Sequence, residues 1–150
     1  MRAAAPLHLA ARFVAALAVA LGPGSAGAES MEEACARTGD PAACEAAIAQ
    51  NGADLASRRR LARTHLGRAE YAPAMRLLRE VAALAPDDPT AHFELAATAA
   101  TFSRFADGVE AIRAALNLAP DRLDVLRLAV IIFQALERDE DALPALARAA

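Results

Sequence analysis

Few side chains in this sequence could do chemistry: two cysteines, three histidines, a block of arginines and scattered carboxylates. Cys35 and Cys44 stand nine residues apart. That spacing fits neither a C-x-x-C redox pair nor a zinc site, which would need further ligands. On one continuous helix, nine residues make two and a half turns, about 13 Å, and place the two sulfurs on opposite faces. Such a pair cannot be bridged. Gly39-Asp40-Pro41 lies between them, however, and a turn there would let two antiparallel helices bring the sulfurs together. An exported, oxidising compartment then favours a disulfide, with two buried free thiols or a reactive redox pair as the alternatives. No Ser/His/Asp triad, phosphate-cradling glycine loop or metal-ligand spacing is present. The sequence therefore assigns no catalytic, cofactor-binding or metal-binding residue, and it reads as a non-enzyme.

The elements that position these side chains are helical throughout. Aromatics make up 4% of the 150 residues and glycines number seven, while Ala and Leu dominate, so helix propensity is strong and strand propensity weak. Every basic residue is Arg, which suggests a GC-rich coding bias. Residues 1–28 read as a secretory signal peptide. Arg2 and Arg12 lead into the apolar run Phe13–Leu21, a Gly/Pro/Ser stretch follows, and small residues stand at Ala26 and Ala28, giving cleavage after Ala28. Nine apolar residues are too few for a membrane anchor, which needs about twenty. No paired arginines and no acylatable cysteine near the cleavage point accompany it. The mature chain is thus expected to be periplasmic or secreted, with no membrane span. Losing Arg2 and Arg12 leaves fourteen arginines against nineteen acids, about −5 overall. That balance argues against nucleic acid as a partner.

Residues 29–53 form an N-terminal hairpin cap. Ser30 and Glu33 make a capping box for a helix that stops at Gly39; Asp40 and Pro41 start a second helix that ends at Asn51-Gly52. From residue 54 to 150 the apolar positions become periodic, with helices expected at 55–67, 73–85, 89–102, 106–119, 122–136 and 141–149. Pro86 and Pro120 close helices, and Asp88-Pro89 and Asp121 open the next ones. Shifting the chain by thirty-four residues superposes "LAPDDP" at 84–89 on "LAPDRL" at 118–123. Leu78, Ile112 and Leu146 then align, as do Val81, Ala115 and Ala149, and the small column Ala74, Gly108 and Ala142 marks a close helix approach. Leu84 and Leu118 are expected to pack each unit's second helix. Tyr71 matches Phe105, although Asp139 breaks that column. Fixed-period self-similarity of this kind identifies a repeat protein.

At these residues the sequence resembles the tetratricopeptide repeat (TPR) family. The second-helix signature stands as Ala74, Leu78, Val81 and Pro86, returns as Gly108, Ile112, Ala115 and Pro120, and returns again as Ala142, Leu146 and Ala149. The first-helix signature is weaker: the family's Trp is Arg58, His92 and Leu126, its Tyr is His65, Ala99 and Phe133, and its Gly is Ala62, Ala96 and Val130. Leu61 and Leu95 keep its Leu. The resemblance implies a short, all-α TPR-like solenoid of units 55–88, 89–122 and a truncated 123–150, with a cysteine-linked hairpin in front. It also implies packing roles for His65 and His92.

The family's concave surface carries over to Arg59, Arg63 and Leu66, then to Phe93, Ala97 and Thr101, then to Arg127, Ile131 and Gln134. This implies a mildly basic groove with an aromatic and aliphatic centre, able to accept an acidic segment of a partner protein. Alternatively Arg58, Arg59, Arg60 and Arg63 only solvate a helix. The family's carboxylate clamp is not reproduced, since Glu94 and Asp124 stand where its members carry Asn and Lys. Two functions follow as expectations. One is an envelope scaffold or adaptor binding a partner through the groove. The other is a structural subunit that self-associates or stacks through its last helix, whose Leu143 and Leu146 lack a covering helix before Ala150.

Overall fold

The computed structural model describes residues 29–149; the signal-peptide reading of 1–28 and its cleavage point lie outside them. Eight helices follow in order: α1 Met31–Thr38, α2 Pro41–Gln50, α3 Leu55–Gly67, α4 Tyr71–Leu84, α5 Pro89–Thr101, α6 Phe105–Leu118, α7 Leu123–Ala135 and α8 Asp139–Ala149. Among the described residues no strand occurs. Helices pair as α3 with α4, α5 with α6 and α7 with α8, and each pair stacks on the next through α4–α5 and α6–α7 contacts. The α1–α2 hairpin packs against α3. This is the all-α repeat solenoid expected from the thirty-four-residue period, with its cysteine-linked hairpin at one end.

The starts and stops follow local chemistry. At α1 the Glu33 amide donates to Ser30 Oγ at 3.1 Å while the Ser30 amide donates to Glu33 Oε2 at 3.0 Å, a reciprocal capping box. Asp40, Asp54 and Asp88 accept from the first-turn amides of α2, α3 and α5. Asp121 does not cap α7, contrary to expectation. The N-cap is Arg122, and the local carboxylate is Asp124, which accepts from the Val125 amide at 2.9 Å and is clasped by both Nε and Nη2 of Arg122 at 2.8 Å.

Between the two helices of each repeat the chain turns through a left-handed residue: Ala69 (φ 57°), Ser103 (φ 55°) and Glu137 (φ 55°), thirty-four apart. At each turn the next amide bonds back to a carbonyl five residues earlier: Glu70 to His65, Arg104 to Ala99 and Arg138 to Phe133, at 2.8–2.9 Å. The backbone therefore repeats at this turn even though the side chains do not.

The core runs down the stack. Met75, Val81, Ile112, Val125, Leu126 and Ile132 are all but completely buried, each such side chain contributing roughly 1.5–3 kcal/mol. The small column works as its sizes require. Ala74 is fully buried and Ala142 nearly so. A Cβ on Gly108 would lie 3.1 Å from Ala99 Cβ and 3.3 Å from the Ala96 carbonyl, so α6 rides directly on α5. Leu84 and Leu118 depart from expectation: they are 45% and 41% exposed. Each sits in the last turn of its helix, after the final buried positions Ala82 and Ala115.

Candidate functional site

On α3, residues 59, 62, 63 and 66 share one face, and on α5 residues 93, 97 and 101 do the same. Where the two faces meet lies a cleft of about 290 Å³. Arg59, Arg63 and Leu66 line it from α3, Phe93, Ala97 and Thr101 from α5, and Leu78 of α4 reaches it from beneath. Six of the nine expected groove residues therefore surround one cleft. Arg127, Ile131 and Gln134 do not line it; they are exposed on α7, Ile131 at 52%.

The electrostatics differ from a simple basic groove. Arg59 is committed to the protein: its Nε donates to Glu94 Oε2 and its Nη2 to Asp88 Oδ2, both at 2.7 Å. Burial works against the guanidinium's charge, but the two carboxylates outweigh it and hold its pKa above the ordinary value. In return the hydrogen bond from Arg59 holds Asp88 below the usual carboxylate range. Asp88 is also the α5 N-cap, so one carboxylate fixes both a helix start and the junction between repeats. The positive group left to the cleft is Arg63, exposed and without an ion pair among the described residues. Phe93 is half-covered from the far side by Arg122, whose guanidinium carbon lies 5.3 Å from the ring centroid while its Nη1 donates to Thr90 Oγ1 at 2.9 Å.

Glu94, which lines the cleft, and Asp88 and Arg122, which hold Arg59, Phe93 and Thr90 beside it, have roles that sequence reasoning missed. Their partners lie 29 to 35 residues away, a distance that a one-repeat stacking register would have suggested.

Arg58, His65 and His92 make contacts within the fold. Arg58, at the family's Trp position, is 8% exposed and ties α3 to α4, its Nε donating to Glu80 and its Nη1 to the Asp54 carbonyl. His65 and His92 are half-buried rather than central. His65 Nδ1 donates to Glu70 Oε2 at 2.5 Å, and His92 Nε2 donates to the Pro86 carbonyl at 2.8 Å. Cys35 and Cys44 form a disulfide with Cα atoms 4.6 Å apart, both residues fully buried. Among the described residues no three His, Cys, Asp or Glu side chains gather as a metal site would require, and no helix is long and apolar enough to cross a membrane.

No protein-family profile matches the sequence, and no curated protein matches it. Among solved structures the chain is similar to MamA, a TPR-like helical repeat solenoid. The MamA of AMB-1 is 25% identical with a TM-score of 0.63, over 73% of this chain and 60% of that one. The MamA of MSR-1 is 25% identical with a TM-score of 0.59, over 73% and 63%. Another MamA crystal structure, 13% identical, shares the fold with a TM-score of 0.66 over 79% and 71%. The chain thus spans less than two thirds of the first two MamA proteins.

Proposed function

We propose that this protein is an interaction scaffold or adaptor of the cell envelope that holds a segment of a partner protein in the α3–α5 cleft. The observation that carries the reading is the juxtaposition of the unpaired Arg63 with an apolar floor of Leu66, Leu78 and Phe93. Solenoids characteristically present such concave surfaces to extended ligands. With Arg59 neutralised, the recognised segment needs one acidic group for Arg63 and one apolar side chain for Phe93, rather than a run of acids. The signal-peptide pattern at 1–28 and the buried disulfide support an oxidising, exported location.

Site-specific photo-crosslinking in the native host tests this. A crosslinker in place of Ala97 is expected to capture a discrete partner that one in place of Ala83, on α4 and outside the cleft, does not. Identical adducts from both positions, or capture unchanged by Arg63→Glu, would remove the cleft from consideration.

A second reading is a structural subunit that self-associates through α8. Leu143 and Leu146 are 62% and 41% exposed there, whereas their counterparts one repeat earlier, Val109 and Ile112, are 7% and 0%. Sedimentation equilibrium that shows only monomer, with Leu143→Glu behaving as the parent, would rule it out.

A further inference from the structure

We infer that the segment held in the α3–α5 cleft is α8 of a second copy of this chain, so that copies join head to tail. That assignment rests on the cleft reading above and names its occupant. A cleft that takes one acid at Arg63 and an apolar side chain at Phe93 calls for a short stripe with an acid at one end and apolar groups behind it. Helix α8 carries that stripe. Asp139, Leu143 and Leu146 stand at i, i+4 and i+7 on one face, and all three are exposed. Ala142 and Ala145, on the other side of the helix, are buried in the fold.

The charges of the two surfaces are complementary. In the cleft the positive group is Arg63, exposed and without an ion pair among the described residues. The first turn of α8 holds Asp139, Glu140 and Asp141. Asp141 is taken by Arg113 and Arg138. Asp139 and Glu140 form no ion pair among the described residues. Pro144 has no amide to give the Glu140 carbonyl one turn earlier, which adds an acceptor at the same end. A guanidinium fork bonds strongly to such oxygens.

The lengths also agree. Asp139 and Leu143 are separated by about 6 Å along the helix axis, and Arg63 and Leu66 by about 4.5 Å along α3. One acid and one leucine can therefore engage Arg63 and the apolar floor together. Within one molecule this is out of reach, because α8 packs on α7 and lies apart from α3 and α5.

Unlike patches meet in this contact. Each joined copy keeps a free cleft or a free α8, so growth continues past two copies into a ring or an open chain. Three contact side chains fall short of the roughly 800 Å² per partner of a stable interface, so association is weak and depends on concentration.

Sedimentation velocity of the purified, oxidised protein over a roughly hundredfold concentration series tests this. The average mass of the parent is expected to rise beyond that of a dimer. Arg63→Glu disables every cleft and Leu143→Glu every α8, and each alone should associate at least about tenfold more weakly. Mixed in equal amounts, the two variants pair through the intact α8 of one and the intact cleft of the other, and growth stops at two copies. Pairing also shows that both variants are folded. A parent that stays monomeric overturns the inference, as does an Arg63→Glu protein that associates like the parent. A mixture that stays monomeric or grows past pairs overturns it equally.

The photo-crosslinker in place of Ala97 separates this inference from the cleft reading. Adducts with residues 139–146 of a second copy support it. Adducts with a different protein alone overturn it and leave the cleft reading standing, and the absence of any adduct removes both.

Discussion

At one end of the stack, α1 and α2 are held by a disulfide, a reciprocal capping box and a left-handed glycine. At the other, α7 starts without a side-chain cap, α8 carries Pro144 within it, and the pair is held by packing around Ile132, Phe133 and Ala145. The contrast follows from what each pair has to bury. The hairpin's buried apolar side chains are Cys35, Cys44 and Ala47, too little surface to fix two short helices. The last repeat buries Val125, Leu126, Ile132 and Phe133 almost completely and needs no covalent link. Covalent chemistry appears where the core is thinnest.

Breaking the packed end should have the largest effect. Phe133→Ala is expected to cost about 3–5 kcal/mol in urea denaturation, with hydrogen exchange accelerating first in α7 and α8. Breaking the stapled end comes next. Cys35→Ala with Cys44→Ala should cost about 2–3 kcal/mol, with faster exchange confined to α1, α2 and the face of α3 they cover. Equal acceleration in α8 would mean that the two ends melt as one unit, and the comparison would fail.

A stabilising change sharpens the contrast from the other side. Glu137→Gly relieves a left-handed residue in the last repeat and should add about 1 kcal/mol, visible as a higher melting temperature.

The smallest effect belongs to the junction between the ends. Asp88 has its pKa depressed below an ordinary value of 3.8 by the hydrogen bond from Arg59. Its contribution is present above that value and is lost as pH falls through the lower, folded one. Stability should therefore drop on acidification below about pH 4, and Arg59→Met should flatten that part of the curve. An unchanged acid limb in Arg59→Met would take Asp88 out of the junction.

The period and the caps made most of the fold legible in the sequence. The 55–67 helix matches α3, and Gly39 and Asp40 punctuate the hairpin as read. The errors have a common physical origin. Helical spacing identifies a stripe but not where along the helix its neighbours run out, so Leu84 and Leu118 looked buried. Asp121 looked like a cap because it follows Pro120, but its repeat-mate is Asp87, and the cap of α5 is the next residue, Asp88. The start keeps its register, with caps at Asp88 and Arg122 thirty-four apart, but the second unit carries Arg where the first carries the capping Asp.

The cleft was half legible. The faces of α3 and α5 came from the repeat, but the neutralisation of Arg59 depends on side-chain geometry across a repeat boundary. Arg58 was indistinguishable from its neighbours in an arginine run until its burial was known. The left-handed turns were invisible because Ala69, Ser103 and Glu137 share no side-chain chemistry.

The disulfide also governs how the molecule responds to tension. Its bridged Cα atoms are 4.6 Å apart, while the nine-residue path between them could extend to roughly 30 Å. A pull on the two ends of the oxidised chain bypasses that path, so the turn at Gly39 carries no load. In a reducing bath the same pull should release roughly 25 Å of additional length. The hairpin thus keeps a hidden reserve of extension, unlocked by reduction and not by force alone.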